Sequence, residues 1–456
     1  MMQHNLFISS FKSKRNRSSI LVLLFVVFFL LGNKILNYLY WMEDDWCRVF
    51  WHNYYAQTEN IDHIFLGSSH VYCGLNPEIL DEKTQKNNFN MATPAQRLIE
   101  SYYLLKEADR HNTIKKAYLE LYYNPSTGNL GDYQNHISVL NGWKCMDHMK
   151  NSFYKLETLI SINPSQYYLE AFFPYIRYRE YIMDGDWIKE CVEYKTSENY
   201  KEYIFNDGLG TFRDKGYYYT NLEVQELSFI RDRKPEEMHL TEEAEKYLRK
   251  IILYCQERNI SLTFFTVPVH DIQLIATENY DSYASQIKEI ATEYDVPYYD
   301  FNMVREEYLP IQDRQYFMNV GHLNAKGAEL YTNFFYEIVS KSPEDNRKYF
   351  YDSYQEKLEY SEAKVYGIYR FNDNILEIQE GDMVKKIKKM IIASNREDEL
   401  EYQVFWTPYS SKETTLLRDF SKNKEFDLPA EEYGNCTIVW RDISTKQKVG
   451  RIDLRN

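Results

Sequence analysis

The chain has 456 residues with 54 Lys and Arg against 68 Asp and Glu, a net charge of -14. That length allows two or three domains with their own cores, and the acidic balance sets aside nucleic acid as a partner, because phosphate binding needs clustered cations. Aromatic residues make up 16% of the chain, 43 of them Tyr; exposed aromatic faces stack well on sugar rings. The six cysteines are scattered, with neither CxxC pairs nor His at metal-ligand spacing, so no zinc site, other metal or cofactor is expected.

The N-terminus carries Lys12, Lys14, Arg15 and Arg17, then an uncharged apolar run from Ile20 to Leu31, then Ile35 to Trp41 and the acidic Glu43-Asp44-Asp45. Residues 1–17 read as a cytoplasmic N-terminus and 18–41 as a single-pass signal anchor of the cell membrane, since basic flanks stay inside. The bulk of the chain, after about residue 42, is then expected outside the cytoplasm. A cleaved signal peptide is the rival reading, because Asn33-Lys34 interrupts the apolar run, but no small-x-small cleavage site follows.

Ile61 to Leu66 reads as an apolar strand ending in the small-residue turn Gly67-Ser68-Ser69-His70, a nucleophile position. A helix over Leu98–Asp109 and a buried strand over Lys116–Tyr123 follow, ending at Asn124-Pro125. From about 126 to 240 the pattern is aromatic and irregular, an insertion with a helix at Gln166–Glu180, expected to shape a substrate cleft or to serve as scaffold.

Regular alternation resumes with a Thr241-capped helix to Arg258, a strand over Ile260–Val267, a helix over Tyr283–Tyr294, a strand over Pro297–Phe301 and a helix over Ala325–Ser340. Strands separated by such helices imply a parallel sheet. The fold class is therefore α/β, three layers about a parallel sheet, across 42–344, with a C-terminal β-sandwich-like domain at 345–456. Ser340–Arg347 is the expected linker.

The block Phe65-Leu66-Gly67-Ser68-Ser69-His70 and the block Val320-Gly321-His322-Leu323-Asn324-Ala325-Lys326-Gly327-Ala328 together resemble the SGNH/GDSL hydrolase superfamily over about residues 60–340. The nearer likeness is to membrane-tethered extracytoplasmic members related to D-alanyl-lipoteichoic acid transfer and alginate-type acetylation proteins. The resemblance implies Ser69 as nucleophile and, through its N–H, oxyanion donor, with His322 as base. The family's last block is Asp-x-x-His, and Asn319 stands where that Asp belongs.

The group orienting His322 is therefore open among Asn319, Asp313, Asp300 and Asp271, and a Ser-His dyad or a binding site without chemistry is also left open. Asn124 is a second candidate oxyanion donor, with a turn role before Pro125 as the alternative. His70, Gln96 and His270 are candidate pocket residues; His70, beside the nucleophile, is expected to play a structural role. The function implied is an esterase or O-acyltransferase acting on a cell-envelope polysaccharide or teichoic-acid-type polymer, with a membrane-bound O-acyltransferase as a partner. The alternative is an inactive SGNH-fold envelope protein that binds glycan or an assembly partner.

Overall fold

A computed structural model describes residues 5–127, 136–233, 238–277, 279–380, 383–429 and 433–455. The chain divides into two compact units, Met1–Tyr55 with Gly142–Phe205, and Ala56–Asn141 with Asn206–Asn456.

The second unit is built on a five-stranded parallel sheet in the order Asn88–Asn90, His63–Leu66, Lys116–Glu120, Ser261–Thr266 and Tyr298–Asp300. Side chains alternate across the sheet. Phe65, Tyr118 and Phe265 point one way, onto Phe335 of the Ala325–Val339 helix. Helices Leu98–His111, Glu242–Arg258 and Tyr280–Glu293 form another layer, tied by Arg258–Asp109 and Arg249–Glu293 ion pairs. The α/β class with a parallel sheet is the observed architecture.

Capping explains where the helices begin. Thr241 Oγ1 accepts Ala244 N–H at 3.2 Å, and Asn324 Oδ1 accepts Gly327 N–H at 3.1 Å, each satisfying a donor that the first turn leaves unpaired. The Gln166–Glu180 helix expected from sequence does not form as one piece. Pro174 ends Tyr168–Phe172, and a 3-10 segment, Pro174–Tyr181, follows; proline cannot donate to the preceding turn.

The C-terminal strands form two four-stranded sheets around a shared core that includes Ile368, Met390, Tyr402, Trp406, Ile438 and Trp440. The described strands within Val365–Arg455 pair with one another antiparallel. The eighth strand of these sheets, Phe229–Arg233, comes from the expected insertion and pairs parallel to Val365–Glu380. Gly367 lies so close to the Phe229 backbone that a Cβ there would collide with it.

The first unit joins the other part of that insertion to the N-terminal helix, Asn5–Tyr40. Its Ser18–Tyr40 stretch is long and apolar enough to cross a membrane.

Candidate functional site

The first and third strands in chain order lie side by side, and the chain leaves them in different directions. Open parallel sheets collect ligands at the carboxyl ends of the strands at such a reversal. A pocket of about 290 Å³ opens there, lined by Ser68, Ser69 and His70 after the first strand and by Tyr122, Asn124 and Pro125 after the third. The loop Asn319–His322 closes it, with Ala95 and Gln273 alongside.

Ser69 is the first residue of a short helix whose N-cap is Ser68. Its Oγ lies 2.7 Å from His322 Nε2. On the other side of the imidazole, Nδ1 lies 3.0 Å from Asn319 Oδ1.

Asn319 Oδ1 also accepts the N–H groups of Gly321 and His322, each at 3.0 Å. Two backbone donors meet this atom, so it must be the amide oxygen rather than the nitrogen. An oxygen facing Nδ1 requires that nitrogen to carry the ring proton, which leaves Nε2 with the lone pair that accepts from Ser69 Oγ–H. The neutral amide thus selects the tautomer a general base needs.

The carboxylates weighed against Asn319 are engaged elsewhere. Asp300 accepts Tyr280 Oη–H at 2.9 Å and Asn302 N–H at 3.1 Å. Asp313 caps a 3-10 turn through Gln315 N–H, and Asp271 accepts Lys357 Nζ at 2.7 Å. Burial alone pushes His322 down to about 4, with no carboxylate to raise it.

His70 is part of the site's support. Its ring stacks on His322 at 4.4 Å between centroids and 19° between planes, and lies against Tyr122 at 3.9 Å. His70 Nδ1 is 3.0 Å from Ser68 Oγ, which donates to Glu120 Oε2 at 2.7 Å; Ser68 N–H donates to the same oxygen at 2.6 Å. With the Ser68 proton directed at Glu120, the Ser68 lone pair faces an Nδ1–H of His70. His70 is held neutral by burial, well below its ordinary range, and its buried Nε2 meets no donor.

Glu120 lies at the end of the third strand, and burial pushes it up to about 7 against the lowering effect of the Ser68 bonds. It sits directly beneath the Gly67–His70 turn. Gly67 has φ +151°, and a Cβ there would come within 2.5 Å of the Glu120 side chain, so only glycine allows this approach.

Asn124 is exposed at the head of a 3-10 turn and lines the pocket. Two expected pocket residues are placed elsewhere. Gln96 is turned inward, accepting from Thr93 Oγ1 and donating to Ser101 Oγ. His270 caps the Asp271–Ile275 helix and bonds Gln312 O at 3.1 Å. Both are buried local connectors, and neither lines the pocket.

Sequence reasoning missed Glu120, Tyr122 and Gln273. Glu120 had a signal, a lone carboxylate within the apolar run Lys116–Tyr123. Gln273 had none; it reaches the site by donating to Tyr123 Oη at 2.8 Å and accepting from Arg231 at 3.2 Å.

No protein-family model matches the sequence. No curated protein matches it either. Among solved structures, a putative acylhydrolase from Bacteroides fragilis is similar at 9% identity and a TM-score of 0.30, over 65% of this chain and 98% of its own.

Proposed function

We propose that the protein is an SGNH-type serine esterase or O-acyltransferase, anchored in the cell membrane with its catalytic unit outside the cytoplasm. The observation that carries this reading is the 2.7 Å contact between Ser69 Oγ and the lone-pair nitrogen of His322. Ser69 attacks the acyl carbonyl while His322 Nε2 takes its proton. His322 returns that proton to the departing alkoxide, leaving an acyl-serine. Water or an acceptor hydroxyl, deprotonated by the same nitrogen, then releases the acyl group. The N–H of Ser69, without a partner inside its own helix, would face the oxyanion, with Asn124 at the same pocket as a second donor.

The polymer acted on is a cell-envelope polysaccharide or a teichoic-acid-type chain, and a membrane-bound O-acyltransferase would supply the acyl group. The apolar Ser18–Tyr40 helix supports this placement; tethering raises the local concentration of a membrane-proximal polymer.

The direct test is labelling of the full-length protein by a fluorophosphonate, together with release of acetate from an aryl acetate. Ser69→Ala is expected to lose both. Equal background labelling of wild type and Ser69→Ala would instead favour a glycan-binding or assembly protein of the same fold. Asn319 in the acid position is the observation that favours that second reading.

A further inference from the structure

In the first unit, the 142–205 segment packs on the outer end of the apolar helix. Lys195 Nζ donates to the carbonyls of Asn37 at 2.7 Å, Tyr38 at 3.0 Å and Trp41 at 2.7 Å. Asn37 O also accepts Trp41 N–H at 3.1 Å, while Tyr38 and Trp41 lie at the helix end, where carbonyls lack intrahelical donors. Trp187 Nε1 donates to Tyr40 O at 3.1 Å, and Tyr178 Oη to Met42 O at 2.8 Å. Trp187 in turn stacks on Tyr181 at 4.4 Å and on Tyr178 at 5.4 Å. Amphipathic aromatic groups of this kind favour the boundary between lipid and water.

One contact reaches deeper. Phe173 meets Phe29 edge to face at 5.8 Å. Phe29 precedes Tyr40 by eleven residues, or about 16 Å of helix, and precedes Lys34 by five, or about 7.5 Å. Even with the polar Asn33-Lys34 pair placed at the surface of the hydrocarbon, Phe173 lies beside the apolar stretch rather than above it.

The large apolar side chains exposed around Phe173 are Phe153, Leu156, Ile160, Leu169, Ile182 and Met183, with Glu157, Ser165, Gln166, Arg179 and Glu180 exposed between them. Phe153, Leu156 and Ile160 form one stripe of the Phe153–Ile162 helix, at i, i+3 and i+7, while Tyr154, Leu159 and Ile162 are buried on the other face. Leu169, one turn before Phe173, is 62% exposed, and Ile182 and Met183 follow, Met183 at 86%. The Phe153–Ile162 helix thus exposes three large apolar side chains, with Glu157 among them, opposite its buried face, and such a cluster is better matched by the lipid boundary than by water alone.

We propose that the 153–183 segment is embedded in the leaflet at the outer end of the Ser18–Tyr40 span, its exposed apolar side chains in contact with lipid acyl chains. The inference rests on the anchor reading above and goes beyond it. The protein then holds the membrane by a span and by an interfacial platform. The depth set by Phe29 and Phe173 matches the roughly 5–10 Å that interfacial helices reach.

The test uses full-length protein in vesicles of phosphatidylcholine and phosphatidylglycerol. The six native cysteines are all buried, so an environment-sensitive fluorophore can be directed to one introduced cysteine at a time. Leu156→Cys and Met183→Cys report the platform, Leu24→Cys reports the span, and Leu253→Cys, on an exposed helix position of the second unit, is the aqueous control. Lipids carrying a nitroxide near the headgroup are expected to cut the Leu156→Cys and Met183→Cys emission at least twofold, and lipids carrying it deep in the acyl chain to do the same to Leu24→Cys, about 15 Å of helix from Lys34. Aqueous iodide should leave both unchanged and quench the Leu253→Cys label.

Iodide quenching of the two platform labels, with Leu24→Cys still quenched by lipid, overturns the platform and leaves the anchor standing. Platform labels shielded from both quenchers place a second copy of the chain on this face and overturn it as well. Leu24→Cys unquenched by lipid removes the anchor reading, and the platform with it.

Discussion

Replacing Asn319 by Asp tests how the imidazole is oriented. Asp keeps an oxygen where Asn319 Oδ1 accepts Gly321 N–H, His322 N–H and His322 Nδ1, all at 3.0 Å, so the loop geometry should survive. The new charge would stand about 4 Å from the charge of an imidazolium, an interaction of about 4 kcal/mol at an effective dielectric constant of about 20. Carboxylates at such range raise a neighbouring histidine by roughly 1–3 pH units, taking His322 from about 4 to between roughly 5 and 7. Only part of that stabilisation is expressed as the imidazolium develops, so kcat should rise about 10- to 100-fold, or about 1.4–2.7 kcal/mol. In the serine-protease template the Asp-to-Asn change costs about 10⁴ because the tautomer is wrong; here it is already right, so the reverse change should gain less. Aryl acetate hydrolysis by Asn319→Asp, with Asn319→Leu beside it, measures this. An unchanged rate in Asn319→Leu, or a gain of 10⁴ or more in Asn319→Asp, would refute the amide as the orienting group in the present tautomer.

Two pH effects follow from the same site. Glu120 rises from an ordinary 4.5 to about 7 in the folded protein. A raised acid leaves its contribution to stability intact below about 4.5 and loses it as pH climbs through 7, at about 1.36 kcal/mol per pH unit, or about 3 kcal/mol in all. Glu120→Gln, which keeps an acceptor oxygen for Ser68, should therefore melt with wild type near pH 4 and above it at pH 8.5; equal melting at both would show that the carboxyl is not buried as described. His322 and His270 both fall to about 4 and His70 lies well below its ordinary range, in each case chiefly through burial. A lowered histidine favours the folded state above about 6.5 and loses that advantage as pH falls towards 4. Thermal melts should thus show wild type destabilised between pH 6.5 and 4, and His270→Gln less so; identical pH dependence in the two would sink the claim for His270.

The α/β scaffold was legible because its signals are local. Apolar strands such as Ser261–Thr266, the Thr241 and Asn324 caps and the amphipathic Glu242–Arg258 helix are each specified within a few residues. Within the C-terminal sheets, Thr415–Ser421 and Glu425–Pro429 carry a weak sequence signal, because the first is exposed along most of its length and the second is only five residues. The parallel strand Phe229–Arg233 was missed for a different reason. Its partner lies more than 130 residues away, and the cue is the close approach of Gly367 to Phe229, visible only after folding.

The site divides along the same line. Gly67-Ser68-Ser69-His70 and Asn319-x-x-His322 are short blocks, so Ser69 and His322 could be named as candidates from sequence, while the group orienting His322 stayed open among Asn319 and three aspartates. What sequence could not supply is the joint between the blocks. Glu120 takes both donors of Ser68 from 52 positions away, and this holds Ser68 Oγ with its lone pair towards His70. His70, kept neutral and flat, then presents a ring face to His322, whose edge is aligned with Ser69. His70 therefore points into the site rather than away from it, because a buried carboxyl beneath the turn dictates which way the turn's polar atoms face.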